Sequence, residues 1–315
     1  MMLRIPEVVC GILFRARAII DLKMHPVVKE KTDADDILSS SWCGLDWTPF
    51  IPFNYDQSHS SGPGLYRVRV SGKSELAYIG QTGRNLKERV MELIRNTLAD
   101  KMPFNDPHTA APRLWSYMQE TGMQFEVSTA SYTSTKQQRM CMESYLIWFY
   151  RKQKGESPLC NFGRLHPNYL PSRNRSTGIR GKRVNQPFTD SNLSLSASAL
   201  ELVSEPPNAD WMGVNWSKPA PLQREFLKPV PDSPGVYRLL ETKFPIYYGE
   251  ASKLKLRLKS HSGKWNPLTH FSYASFDEYK TKHLRLEVEN DLIAGHFSFC
   301  AESPAHQFKP LNQSK

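Results

Sequence analysis

The sequence predicts an α+β protein in which one small sandwich, an antiparallel sheet flanked by helices, is built twice. Three observations carry that expectation. Four blocks recur in one order: WCGLDW (42–47) as WMGVNW (211–216), PGLYR (63–67) as PGVYR (234–238), YIG (78–80) as YYG (247–249), and LKERV (86–90) as LKLRL (254–258). The downstream spacing repeats as well: Phe125 and Glu143 lie 18 positions apart, as do Phe271 and Glu289, Glu143 and Asn161, and Glu289 and Gln307. Within a unit, stretches that alternate apolar and polar residues give way to stretches with helical spacing, so strands and helices are interleaved.

The elements of the first unit follow in order. GLYRVRV (64–70) alternates and carries β-branched valines, ELAYIG (75–80) is its partner strand, and SGKS between them is turn chemistry for a hairpin. In TGRNLKERVMELIRNTLADK, Leu86, Val90, Leu93, Ile94 and Leu98 fall on one helical face, with Asn85 placed to cap the helix. MQFEVSTASY (123–132) is a third strand and TKQQRMCMESYLIWFYRKQKG (135–155) a strongly apolar helix. Arg89 to Glu143 spans 54 positions against 32 from Arg257 to Glu289, so the first unit carries extra sequence around 102–122, expected to form a loop and a helix.

These boundaries divide the chain into an N-terminal extension (1–41), a first domain (42–167), a linker (168–210) that is basic and then serine-rich, and a second domain (211–310). The linker is expected to be a solvated tether, with Arg180, Lys182 and Arg183 placed to meet a phosphate backbone. The apolar run of the extension is interrupted by Arg15 and Arg17 and is too short to span a bilayer. It is expected to be a packing helix, or sequence upstream of a start at Met24.

Of the 315 residues 39% are hydrophobic and 23% charged, an ordinary globular composition, while the formal net charge of +10 points to a polyanionic partner. Five scattered cysteines without a CxxC pair argue against a zinc knuckle and a disulfide framework, and fit a cytoplasmic protein. No membrane association is expected.

The ordered set GLY…YIG, then Arg89 on a helix, Glu143 on a later helix and Asn161 downstream resembles the GIY-YIG nuclease family, and both units show it. The resemblance implies two tandem domains of that fold and a DNA phosphodiesterase dependent on one divalent cation, Mg²⁺ or Mn²⁺. It makes Tyr66, Tyr78, Arg89, Glu143 and Asn161 the catalytic set, with Glu143 as sole protein ligand of the cation. Tyr237, Tyr247, Arg257, Glu289 and Gln307 are the counterparts, with Glu289 as metal ligand. His261 stands at an offset where some family members carry histidine and the first unit has Leu93. The second unit departs at Tyr248, in place of the motif's isoleucine, and at Gln307, whose extra methylene is expected to displace the amide.

Chemistry gives these residue types a rationale of their own. Hydrolysing a phosphodiester requires activated water, cations against developing negative charge, and a metal or acid for the leaving oxygen. Tyrosine, with an ordinary pKa near 10, is a weak base unless a cation lowers it. Arg67, Arg69, Lys87 and Arg89 lie close enough in sequence to supply such a field and to touch DNA, and Gly80 permits close backbone approach.

The expectation is a double-stranded-DNA endonuclease, in restriction or a mobile element, acting as a two-lobed monomer or a homodimer. Specificity would come from the insert, the basic linker and the WxGxxW segments. The alternatives are a non-catalytic DNA-binding protein and a structure-specific repair nuclease.

Overall fold

The computed structural model describes residues 36–54, 61–105, 109–172, 178–184 and 195–309. The packing helix expected near the N-terminus, and the question of Met1 or Met24, lie outside them. Among the described residues ten strands and five α-helices follow in order: β1 (Ile51–Pro52), β2 (Gly64–Val70), β3 (Leu76–Thr82), α1 (Leu86–Thr97), α2 (Ala111–Thr121), β4 (Phe125–Ser131), α3 (Lys136–Lys154), β5 (Tyr169–Leu170), β6 (Lys182–Arg183), β7 (Ala220–Pro221), β8 (Gly235–Glu241), β9 (Phe244–Ala251), α4 (Leu254–His261), β10 (His270–Ser275) and α5 (Lys282–Cys300).

The chain is mixed α+β with small antiparallel sheets. Two four-stranded sheets run β1-β4-β2-β3 and β7-β10-β8-β9, the same order twice, beside a two-stranded β5-β6 ribbon. Even the irregularity is copied: the β2–β3 register slips after Val68 and the β8–β9 register after Leu239. The very short β1 and β7, each following a WxGxxW block, have no alternating pattern to announce them.

Local chemistry explains the element ends. Asn85 accepts a hydrogen bond from the Glu88 amide and starts α1, while Thr135 and Gln138 form a reciprocal capping box at α3. The extra sequence of the first unit folds as α2, whose Ala111 and Leu114 pack with Leu93 and Ile94 of α1 and Val68 of the sheet. On the opposite face of the sheet lie Trp42, Trp47, Leu65 and Ile79, covered by Leu146 and Tyr150 of α3.

That second face holds two residues expected at DNA. Arg67 is fully buried: Nε donates to Ser128 Oγ (3.3 Å), Nη1 to Ile37 O (2.5 Å) and Nη2 to Ser39 O (2.9 Å). Its guanidinium lies 4.4 Å from the Trp47 ring centroid, and burial lowers its pKa to about 9. Arg69, on the same face, pairs with Glu126 at 2.6 Å. Side chains alternate across a strand, so both point away from Tyr66 and supply it no field. Arg238 repeats the arrangement over Trp216 at 4.5 Å, donating to Pro206 O and Asn208 O. In both blocks the second tryptophan donates to the carbonyl of the first, Trp47 to Trp42 at 3.0 Å and Trp216 to Trp211 at 3.1 Å. All four tryptophans are buried, which leaves WxGxxW bracing the sheet rather than reading bases.

The two units meet through α3 and α5. Asn290 donates to Ser144 O (3.1 Å), a contact between equivalent positions of the repeat. Arg151 of α3 pairs with Asp291 (3.0 Å) and Glu287 (3.2 Å) of α5, all of them almost completely buried. Residues 195–204, expected within a solvated tether, thread this seam. Ala197 O accepts from Arg151, the Ala197 and Leu200 amides donate to Glu287 and Asp291, and Trp148 donates to Leu200 O. No helix among the described residues is long and apolar enough to cross a membrane.

Candidate active site

The hairpin β2–β3 sets Tyr66 opposite Gly80 and Val68 opposite Tyr78 in its register, which puts both tyrosines on one face. Their ring centroids lie 6.0 Å apart. Gly80 is required by this approach, because a Cβ there would sit 2.5 Å from the Tyr66 hydroxyl oxygen and 2.6 Å from the Tyr78 ring. The second unit reproduces the pair: Tyr237 and Tyr247 are 6.1 Å apart, and a Cβ on Gly249 would sit 2.5 Å from Tyr237 Cζ.

Arg89 and Glu143 converge on the same place. The Tyr66 phenol is raised well above its ordinary range by burial and by Tyr78, and lowered again by Arg89, which hydrogen-bonds to it. Glu143 acts on both tyrosines, and its own carboxyl is pushed up to about 8 by burial against the pull of Arg89. Arg89 also pairs with Glu92 at 3.3 Å. Lys87 stands exposed one position from Glu88, along a groove that Arg84, Arg89 and Arg95 also line.

In the second constellation hydrogen bonds link arginine, tyrosine, histidine and tryptophan. Arg257 Nε donates to Tyr237 Oη at 3.1 Å, and His261 Nε2 lies 2.8 Å from the same oxygen. Trp265 Nε1 donates to His261 Nδ1 at 3.0 Å. Indole nitrogen only donates, so Nδ1 is unprotonated and the proton of the neutral ring sits on Nε2. Burial lowers the His261 pKa to about 4, which keeps that ring neutral. Tyr237 Oη therefore accepts from both neighbours, and its own proton points elsewhere. Glu289 is pushed up to about 8 by burial and by Glu250, with Arg257 opposing.

Asn161 and Gln307 do not face this chemistry. Asn161 Oδ1 accepts from Ile79 N and Nδ2 donates to Ile79 O, both at 3.0 Å. Gln307 makes the same pair with Tyr248, at 3.0 and 3.3 Å. Each amide closes the open edge of the strand that carries the second tyrosine, continued by Cys160 N to Ala77 O and by His306 N to Ile246 O. The glutamine thus performs the asparagine's task, contrary to the expected displacement, and both are positioning residues. Both lie just before a residue held at positive φ, Phe162 (57°) and Phe308 (63°). Tyr248, the other departure, is buried on the opposite face against Trp216 and His296, away from the site.

Of the remaining expected DNA contacts, Arg180 donates to Met102 O and covers the Phe104 ring, and Arg183 forms a two-bonded pair with Glu120. Lys182 is exposed beside them.

Sequence reasoning passed over Arg139 and Arg285, one turn before each glutamate. Arg139 bonds to Gln81 Oε1 (3.1 Å) and Ser134 O (2.7 Å) and packs on the Gly83 backbone. Arg285 pairs with Glu250 (2.8 Å). Their identical offset in both units was the available signal. A second omission is Arg113 of α2, which with Thr109 adjoins the Tyr78 hydroxyl. In the second unit Trp265 takes up the space beside Tyr247, with centroids 5.7 Å apart.

Among the described residues no three His, Cys, Asp or Glu side chains cluster as a metal cage. A lone carboxylate such as Glu143 fits a cation that keeps water and phosphate oxygens as its other ligands, the habit of Mg²⁺. Comparison with protein-family models, with curated proteins and with solved structures finds no match to this chain.

Proposed function

We propose that the chain is a metal-dependent DNA endonuclease built from two GIY-YIG-type units, each with its own site. The observation that carries this reading is the convergence of two tyrosines, an arginine and a half-buried carboxyl, far apart in sequence, on one face of a hairpin, and its recurrence in the second unit. Glu143, and Glu289 in the second unit, would hold Mg²⁺ or Mn²⁺, which when bound supplies Lewis acidity at the phosphate and the leaving oxygen. Arg89 stands against a non-bridging phosphate oxygen and at the same time favours the ionised form of Tyr66. Tyr66 would orient the attacking water, and would take that water's proton in its ionised form, which Arg89 favours against burial, while Asn161 holds the Tyr78 strand in place.

The test is supercoiled plasmid incubated with Mg²⁺ and wild-type, Glu143→Ala, Glu289→Ala or doubly substituted protein. Two working sites give linear product from wild type, nicked circles from each single variant and none from the double. Undiminished linear product from Glu289→Ala would confine catalysis to the first unit. Binding without cutting by wild type would leave a DNA-binding protein and remove the enzyme.

A further inference from the structure

Between the two units lies a cavity of about 820 Å³ that adjoins the first site at Tyr78 and Asn161 and extends beyond it. Its walls come from both halves of the chain. Tyr78, Arg113, Arg164, His166 and Tyr169 belong to the first half, and Lys282, at the start of α5, to the second. No carboxylate lines it among the described residues.

The polar groups here are left with bonding capacity that folding does not consume. The Nε atoms of Arg113 and Arg164 and the hydroxyl of Thr281 are buried without a hydrogen-bond partner among the described residues. Arg164 is 8% exposed, and its charge is matched by Glu287 at 3.0 Å. Among the described residues Arg113, by contrast, bonds to neutral groups, Asn105 and Thr109 O. Lys282 is exposed. At the N-cap of α3 the equivalent threonine, Thr135, is satisfied by a capping box, whereas Thr281 is not.

Duplication explains why a second-unit residue reaches the first site. Gln137, in the first turn of α3, donates to Gln307 O at 3.1 Å. His283, its counterpart in the first turn of α5, lines the same cavity as Asn161. Each glutamate-bearing helix therefore abuts the strand-edge clamp of the other unit.

We propose that this cavity binds unpaired nucleotides of the strand whose phosphate lies at Tyr66 and Arg89, with Arg113 and Lys282 on the phosphates and Tyr169 stacked on a base. The inference deepens the nuclease reading and rests on it for the direction of the strand. The volume is that of a small-ligand pocket, of order 300–1,000 Å³, so it admits a few unstacked nucleotides and not a duplex. Cations with interleaved aromatic rings are the general means of holding a single strand without reading its sequence. The substrate would be DNA with a frayed, flapped or overhanging end next to the cut.

The experiment measures fluorescence anisotropy of a labelled blunt duplex and of the same duplex with an oligothymidylate overhang, in EDTA so that nothing is cut. Wild type is expected to bind the overhang several-fold more tightly. Arg113→Ala with Lys282→Ala should abolish that preference and lower the salt slope for the overhang by about 1.4, two cations at roughly 0.7 each on a single strand. Lys282→Ala alone, an exposed position that leaves the fold intact, should lower it by about half as much. Tyr169→Ala should weaken overhang binding with the slope unchanged. Equal binding of the two probes by wild type, or equal weakening of both by the variants, overturns the inference. Overhang preference in a protein that cuts no DNA with Mg²⁺ sinks the nuclease reading and keeps the cavity; cutting without overhang preference does the reverse.

Discussion

Burial pushes the Glu143 carboxyl from an ordinary value of 4.5 up to about 8. The unfolded chain gives up this proton first as pH rises, so the stability present below about 4.5 is lost progressively as pH climbs towards 8. Glu143→Gln keeps the shape and cannot ionise. Without divalent cations it should melt several degrees above wild type at pH 8.5, with the gap closing by pH 4.5, as read by calorimetry at the two pH values. No gap at pH 8.5 would mean that the carboxylate is solvated and that burial does not hold its proton. The opposite logic holds at Asn161, where function follows from position. Asn161→Ala removes two hydrogen bonds from the open edge of β3 and is expected to cost about 1–3 kcal/mol. The Ile79 amide should then exchange with deuterium faster than amides on β2. Protection unchanged at Ile79 would remove the clamp from the account. Arg67 carries the lesson for reading such sequences: proximity along the strand suggested a role beside Tyr66, but a period of two sends adjacent side chains to opposite faces.

At the scale of elements, the strands β2, β3 and β4 and the helices α1 and α3 were legible because each has enough residues for a period and a cap to show. Asn85 before α1 and Thr135 before α3 mark their starts to the residue. The two-residue strands β1 and β7 were not legible, since their partners β4 and β10 impose them through pairing. The packing of residues 195–204 was hidden for a different reason: the main chain, not an apolar pattern, makes the bonds to Arg151, Glu287 and Asp291. The tyrosine–arginine–glutamate set was legible from its repetition, whereas Arg113 and Lys282 approach through tertiary structure alone. The seam between α3 and α5 yields its own prediction. Arg151→Ala strands the buried Asp291 carboxylate, while Glu287 keeps Arg164, and breaking such a buried pair typically costs about 3–5 kcal/mol. Asp291 is held up at about 6 by burial despite Arg151, so the variant's loss should shrink on acidification, as Asp291 becomes neutral. Urea titrations at pH 7.5 and pH 5 measure both; equal losses at the two values would show that the charge is not what matters.

For the whole molecule, the same seam decides whether the repeat behaves as two beads or as one body. Cys141 and Trp148 of the first unit belong to the apolar cluster formed by Trp211, Trp216, Tyr248 and Leu292 of the second. Separating the units would expose that cluster and break the ion pairs of Arg151 with Glu287 and Asp291 and of Arg164 with Glu287. Neither half can then unfold without removing support from the other, and the chain should melt in one transition, with calorimetric and van't Hoff enthalpies equal. Trp42 and Trp47 report on one sheet and Trp211 and Trp216 on the other. Variants keeping the tryptophans of only one unit should trace coincident curves. Two transitions, or curves displaced from each other, would instead describe independent lobes on a tether. A rigid seam also fixes the separation of the two tyrosine sites, so the spacing of paired cuts would be a property of the fold. Mapping cut positions on substrates of different sequence should show one constant stagger.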